Sequence, residues 1–159
     1  MEKLKTYFYI IIVSLLTFIM PLLSVVLEMY FVENVQPTFA MLSKWFIFWA
    51  VGMRLFIAGM KQTIDPAFTA REIFKFQTEE SFPVIRELGF ANICFGLTAV
   101  LSFFFPDWRV VSAFASGIYY GIAGFQHLLK RPVGMNESFA LFTDLFIFIV
   151  LLIYFVTQI

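Results

Sequence analysis

The chain has one cysteine, Cys94, and one histidine, His127. A lone thiol excludes an intrachain disulfide and a CxxC redox pair. One histidine with one cysteine excludes bis-histidine haem ligation and a zinc site of the common type. HExxH, GxSxG, P-loop and GxGxxG motifs are missing, and with them the usual metalloprotease, hydrolase and nucleotide sites. No cofactor and no metal is expected; a carboxylate set of Glu87, Glu137 and Asp144 is the one metal arrangement left open. Charge is scarce too: 14% of residues are Asp, Glu, Lys or Arg, against about 25% in soluble domains, and the net charge is zero. A neutral chain has no electrostatic footprint for nucleic acid. The balance of these absences leans away from an enzyme.

Apolar residues fill the space left. They make up 61% of the chain, aromatic residues alone 20%, and the mean hydropathy is +0.88. Thr6 to Tyr30, Phe39 to Met60, Val84 to Phe105, Arg109 to Leu129 and Phe139 to Val156 each approach or pass the roughly 20 residues that a spanning helix needs. The expected fold is an all-α, polytopic membrane helix bundle of five transmembrane helices, one domain over 1–159, with the lipid bilayer as its surroundings. Lys3 and Lys5 precede the first stretch, which is too long for a signal-peptide core and is followed by no small-x-small cleavage site, so it reads as a retained anchor.

Lysine and arginine set the orientation, because cytoplasmic flanks carry their excess. With the N-terminus inside, Lys3, Lys5, Lys61, Arg71, Lys75, Arg86, Lys130 and Arg131 are cytoplasmic, and Lys44 and Arg109 are outside. That distribution favours N-in, C-out in the cell (inner) membrane. Pro106-Asp107 predicts a tight turn that makes the third and fourth spans antiparallel neighbours, and Arg131-Pro-Val-Gly134 breaks the chain before the fifth. Trp45, Trp49 and Trp108 fall toward the outer side.

The loop from Lys61 to Pro83 carries helix signals. Asp65-Pro66 offers a cap followed by proline at the first helical position, and Thr69-Ala-Arg-Glu72 matches a capping box. Ala70, Ile73, Phe74 and Gln77 then share one face. A cytoplasmic amphipathic helix lying over the bundle is expected, with a solvated connector as the plain alternative.

Depth can be counted at 1.5 Å per residue. Arg54, Asn92 and Asp144 all fall about six or seven residues from the cytoplasmic ends of their spans, roughly 9 to 11 Å inside. Gln126, His127, Arg86 and Glu87 lie nearer the rim, and Gln62 and Glu137 close the opening. Charges in hydrocarbon are costly and face a bundle interior or a water-filled cavity, so this group is a candidate site. An Arg54 to Asp144 ion pair also has a purely structural reading, as does Asn92 as interhelical glue. Ala113, Gly117, Tyr120, Gly124 and His127 form a small-residue seam on the fourth span, with Gly117-x-x-x-Gly121 as a packing motif. In the first span Ser14, Thr17, Pro21, Ser24 and Glu28 line up, Pro21 is placed to kink the helix, and Glu28 sits in the outer half.

From Arg54 onward the order of residues resembles the DoxX-like membrane proteins: Arg54, Gly59 and Lys61 on one helix, Glu87, Gly89 and Gly96 on the next, and His127 ending a third. Arg86-Glu-Leu-Gly-Phe-Ala-Asn92, Gly124-x-x-His127, Asn136 and Thr143-Asp144 are similar to an uncharacterised family of small bacterial and archaeal multispan proteins, catalogued as a domain of unknown function. The DoxX-like resemblance implies a four-helix membrane core to which the first span is an addition. One DoxX-like group serves as a subunit of a thiosulfate to quinone oxidoreductase; no redox centre here carries that activity over.

The leading expectation is a cytoplasm-facing polar pocket for a small amphiphile, lipid head group or quinone, built from Arg54, Gln62, Glu87, Asn92, Tyr120, Gln126, His127, Glu137 and Asp144. The alternatives are a proton-coupled transporter or channel subunit, running from Glu28 to Asp144, Glu87 and His127 and forming a homo-oligomer through the Gly117 and Gly121 seam, or a structural subunit of a membrane complex.

Overall fold

The structure, a computed structural model, describes residues 2–33, 36–131 and 134–159, with side chains from residue 6 onward. The side chains of Lys3 and Lys5, and the chain break at Pro132, lie outside what the structure describes. Every regular element among the described residues is helical.

Helix α1 runs through Glu2–Ser14, Leu15–Ile19 and Met20–Phe31, the middle segment wound as π-helix. Proline explains the change of winding. Pro21 has no N–H to offer the carbonyl one turn back, and the chain widens ahead of it, with the Met20 N–H donating to the Leu15 carbonyl instead. The π-turn ends immediately ahead of Met20 and Pro21, at the place where a kink is expected. Helix α2, Phe39–Ile64, opens on Thr38, whose Oγ1 accepts the Met41 N–H at 3.1 Å. It too carries a π-segment, Ile47–Met53, which packs against that of α1 and ends immediately before Arg54.

The connector forms a short helix, α3, made of Pro66–Phe68 and a π-turn Thr69–Ile73. Its start differs from the Thr69 capping box. Proline at the first position, with its backbone angle already helical, begins the helix one turn earlier, and Thr69 is buried inside it. Asp65 makes no side-chain cap and takes the Lys61 ammonium at 2.6 Å. Ala70 and Ile73 face inward as their spacing implied, but the helix ends before Gln77, which is exposed.

Helices α4 (Phe82–Leu101), α5 (Trp108–Lys130) and α6 (Met135–Val156) complete the bundle. Two close pairs organise it. A Cβ on Gly59 would lie 2.6 Å from the Gly89 carbonyl, and one on Gly96 would lie 2.5 Å from the Phe56 nitrogen, so α2 and α4 touch backbone to backbone. Gly117, Gly121 and Gly124 of α5 receive Leu151, Phe148 and Leu145 of α6 in antiparallel register. The seam expected to serve as an oligomer surface is therefore occupied within the chain. α4 and α5 are neighbours across the Pro106 turn, as the turn predicts. Arg109 closes that end of the molecule, its Nε donating to the Ser102 carbonyl at 3.2 Å.

Thr6–Phe31, Phe39–Ile64, Glu79–Leu101 and Met135–Val156 are long and apolar enough to cross a bilayer. With their lipid-seeking exteriors they make this an all-α, multi-pass membrane bundle. α5, the fourth of the five spans expected, is as long but less apolar, because Ser112, Ser116, Gly117, Tyr120, Gly124 and His127 all turn into the protein. The bundle centre is Ile47, Ala50, Val51, Leu55, Ala113, Ile147 and Leu151.

Candidate functional site

Arg54 is the first residue after the π-segment of α2, and it is more than nine-tenths buried. Its Nη2 donates to Asp144 Oδ1 at 2.7 Å and to Thr143 Oγ1 at 3.0 Å, both on α6. Thr143 passes the bond on, donating to the Phe139 and Ala140 carbonyls of its own helix at 2.9 and 3.1 Å. The guanidinium carbon sits 5.3 Å from the centre of the Tyr120 ring, a cation–π contact that adds to the ion pair. Tyr120 is held in turn by donating to the Ala50 carbonyl at 3.3 Å. The Tyr9 hydroxyl is near enough to feel both Arg54 and Asp144. Nη1 of Arg54, however, has no hydrogen-bond acceptor among the described residues.

That unpaired donor borders a cavity of about 510 Å³. The volume falls within the range of roughly 300 to 1,000 Å³ typical of small-molecule sites. Arg54, Asn92, Tyr119, Tyr120 and Asp144 belong to its polar lining. Phe8, Ile12, Val13 and Leu16 of α1 and Ile57 of α2 make an apolar wall, and α3 bounds it through Phe68, Ile73 and Phe74. Phe8 and Ile57 of this wall are exposed, so the protein does not close over the apolar side of the cavity.

A second set of side chains lies at the α3 end. His127 is buried, stacks on Phe74 with ring centres 6.4 Å apart, and has Nδ1 3.6 Å from Glu137 Oε1. The Lys130 ammonium lies over the same Phe74 ring, 5.6 Å from its centre.

A family model described as a family of unknown function, DUF6790, matches residues 7–158. The chain belongs to the DUF6790 family. No curated protein and no solved structure matches it. DUF6790 is the uncharacterised family to which the Arg86–Asn92 and Gly124–Asp144 motifs are similar, and the match carries no link to the DoxX-like group.

In this DUF6790 chain the residues singled out by depth divide into three groups. Arg54, Gln62, Asn92, Tyr120, His127 and Asp144 border the main cavity, with Asn92 Nδ2 donating to Gln62 Oε1 at 2.7 Å. Glu137 is buried beside His127 without reaching that cavity, and Gln126 borders only a smaller one of about 180 Å³. Glu87 is exposed and borders neither. Its position two residues before the inward Gly89 puts it on the far side of α4. The Glu87, Glu137 and Asp144 metal set is not gathered: among the described residues no three His, Cys, Asp or Glu side chains come together as a metal site would need.

Tyr9 and Tyr119 are cavity residues that residue counting missed. Tyr9 lies in the helix regarded as an addition to the core, which instead supplies one wall. Tyr119 was legible as the neighbour of Tyr120 but carried no charge to mark it. Glu28, set apart in the outer half, is satisfied: Lys44 Nζ approaches both its oxygens at 2.6 Å, and Trp45 Nε1 donates to Oε2 at 2.5 Å.

Proposed function

We propose that this DUF6790 chain binds a small amphiphile, a lipid or a quinone, drawn from the membrane into the cavity between α1 and the paired helices, with the polar end of the ligand at Arg54. One observation carries this reading: among the described residues, Nη1 of the buried Arg54 guanidinium, on a mostly apolar cavity, has no hydrogen-bond acceptor. Leaving a buried polar group unsatisfied costs about 1 to 3 kcal/mol, more when it is charged, so an acceptor delivered by a ligand offsets a standing penalty. Arg54 is the anchor, Asp144 and Thr143 fix its orientation, Asn92 and Gln62 line the approach, and His127 and Glu137 sit beneath α3. Glu87 and Gln126 are outside this arrangement.

The membrane topology that suits the reading has five crossings, the N-terminus inside and the C-terminus outside, in one domain of the cell membrane. The register of α5 on α6 supports the fifth crossing, since α5 lies alongside a helix apolar enough to span. Lys61, Arg71, Lys75 and Lys130 surround the α3 end and Lys44 and Arg109 the other, which supports a cytoplasmic α3.

The His127 and Glu137 pair favours a second reading, a proton-coupled transporter subunit. The engagement of Glu28 by Lys44 and Trp45 weighs against using it as the outer half of the route. Organic extraction and mass spectrometry of the purified protein test the first reading. A copurifying amphiphile retained by wild type and lost from folded Arg54→Ala supports it. Identical extracts from both, or pH-dependent proton flux in proteoliposomes with no bound molecule, count against it.

A further inference from the structure

The polar lining of the cavity is charge-balanced before any ligand arrives. Its charged border residues are Arg54, Lys61 and Arg71 against Asp65, Glu72 and Asp144. Arg54 is paired with Asp144 at 2.7 Å, Lys61 with Asp65 at 2.6 Å, and Arg71 with Glu79 at 3.2 Å. His127 Nδ1 lies 3.6 Å from Glu137 Oε1. An anionic head group at Arg54 would meet an already neutralised cation and the Asp144 carboxylate beside it. In a medium of low dielectric, an extra charge without an opposite partner is among the costliest things to bury.

The unpaired donor is of a different kind. Nη1 of Arg54 offers a hydrogen bond but no spare net charge. A neutral carbonyl oxygen accepts that bond without adding charge. The tyrosines at positions 9, 119 and 120 border the same cavity with flat, partly polar faces, and the apolar wall of α1 suits an alkyl tail.

Resting on the amphiphile reading above, we infer that the ligand is a neutral carbonyl-headed amphiphile, not a fatty acid or other anionic lipid, and that Asp144 enforces this choice by neutralising Arg54. An acyl amide and a ring ketone both supply such a carbonyl and share the chemistry that Arg54 recognises. Asp144 thus acts as a specificity-determining residue that excludes carboxylates.

Binding of dodecanamide, a dodecyl-substituted benzoquinone and dodecanoate to the purified protein in micelles, at about pH 8 where a free acid is ionised, tests the inference through melting temperature against probe concentration. In wild type, at least one neutral probe binds about tenfold or more tighter than dodecanoate, and the tighter of the two names the source of the carbonyl. In Asp144→Asn the released positive charge reverses the order in favour of dodecanoate. Dodecanoate as the tightest probe for wild type overturns the neutral-head inference but leaves an amphiphile pocket. An unchanged order in folded Asp144→Asn overturns the role given to Asp144. If none of the three binds and nothing copurifies, the pocket itself falls. If Asp144→Asn does not fold, the wild-type order decides between neutral and anionic heads.

Discussion

Arg54 and Asp144 lie 90 positions apart in the chain and meet at 2.7 Å, joining α2 to α6 through the middle of the bundle. Removing one partner strands the other in a buried site, which costs about 3 to 5 kcal/mol, whereas removing both together leaves no unpaired charge. Arg54→Leu and Asp144→Leu are each expected to lower stability by about 3 kcal/mol, and the double variant by clearly less than their sum. Denaturant unfolding in micelles measures the cycle; strictly additive losses would show that the pair carries no coupling.

Glycines on the two helix pairs are expected to differ in how much an added carbon costs. Gly96→Ala sets its new carbon 2.5 Å from the Phe56 backbone nitrogen, which no side-chain rotation relieves, and a loss of about 1 to 3 kcal/mol is expected from overpacking. Gly117→Ala meets only Leu151 Cβ at 3.4 Å, so the gain in helix propensity, about 1 kcal/mol, offsets most of the crowding. Melting temperatures of the two variants compared side by side check this, and equal losses would count against the α2 and α4 contact described.

Five crossings place Gln77 and Gln158 on opposite sides of the membrane, and four crossings without α5 place them on the same side. In a Cys94→Ala background, Gln77→Cys is expected to react with a membrane-impermeant maleimide only after the cells are opened, and Gln158→Cys in intact cells. Labelling of both from one side would remove α5 from the spans.

Glu28 ties α1 to α2 through Lys44 and Trp45, with both charged side chains only about one-fifth exposed (18% and 22%). Glu28→Ala is expected to cost about 1 kcal/mol or somewhat more, since the Lys44 ammonium is left partly buried, and to shift Trp45 emission to shorter wavelength as the indole N–H loses its anionic acceptor. Lys44→Met in the same background is expected to recover part of the loss. Unchanged emission and stability in Glu28→Ala would make the cluster incidental.

Much of the bundle was readable along the chain because bilayer thickness fixes helix length, and Thr6–Phe31 or Met135–Val156 can be little else. Counting depth also put Arg54 and Asp144 at one level. Depth does not give direction, however: each residue turns a helix by about 100°, so Glu87 shared a level with the rim and still faced outward. The π-segments in α1 and α2 were hidden because no residue type encodes them; Pro21 hinted at one, and nothing in Ile47–Met53 at the other. The seam at Gly117 was legible as a packing surface, but its partner, α6, needed coordinates.

The wide turns of Ile47–Met53 separate α2 into two stretches whose rotational phases are independent. Each π-turn holds one residue more than an α-turn can, and so turns everything beyond it by about 100° relative to an unbroken helix. Lys44 and Trp45 can therefore aim at Glu28 while Arg54 aims at Asp144, two bearings that a single regular rod would couple. Losing one residue from this stretch would leave the hydrophobic length almost untouched and yet swing the guanidinium away from its carboxylate.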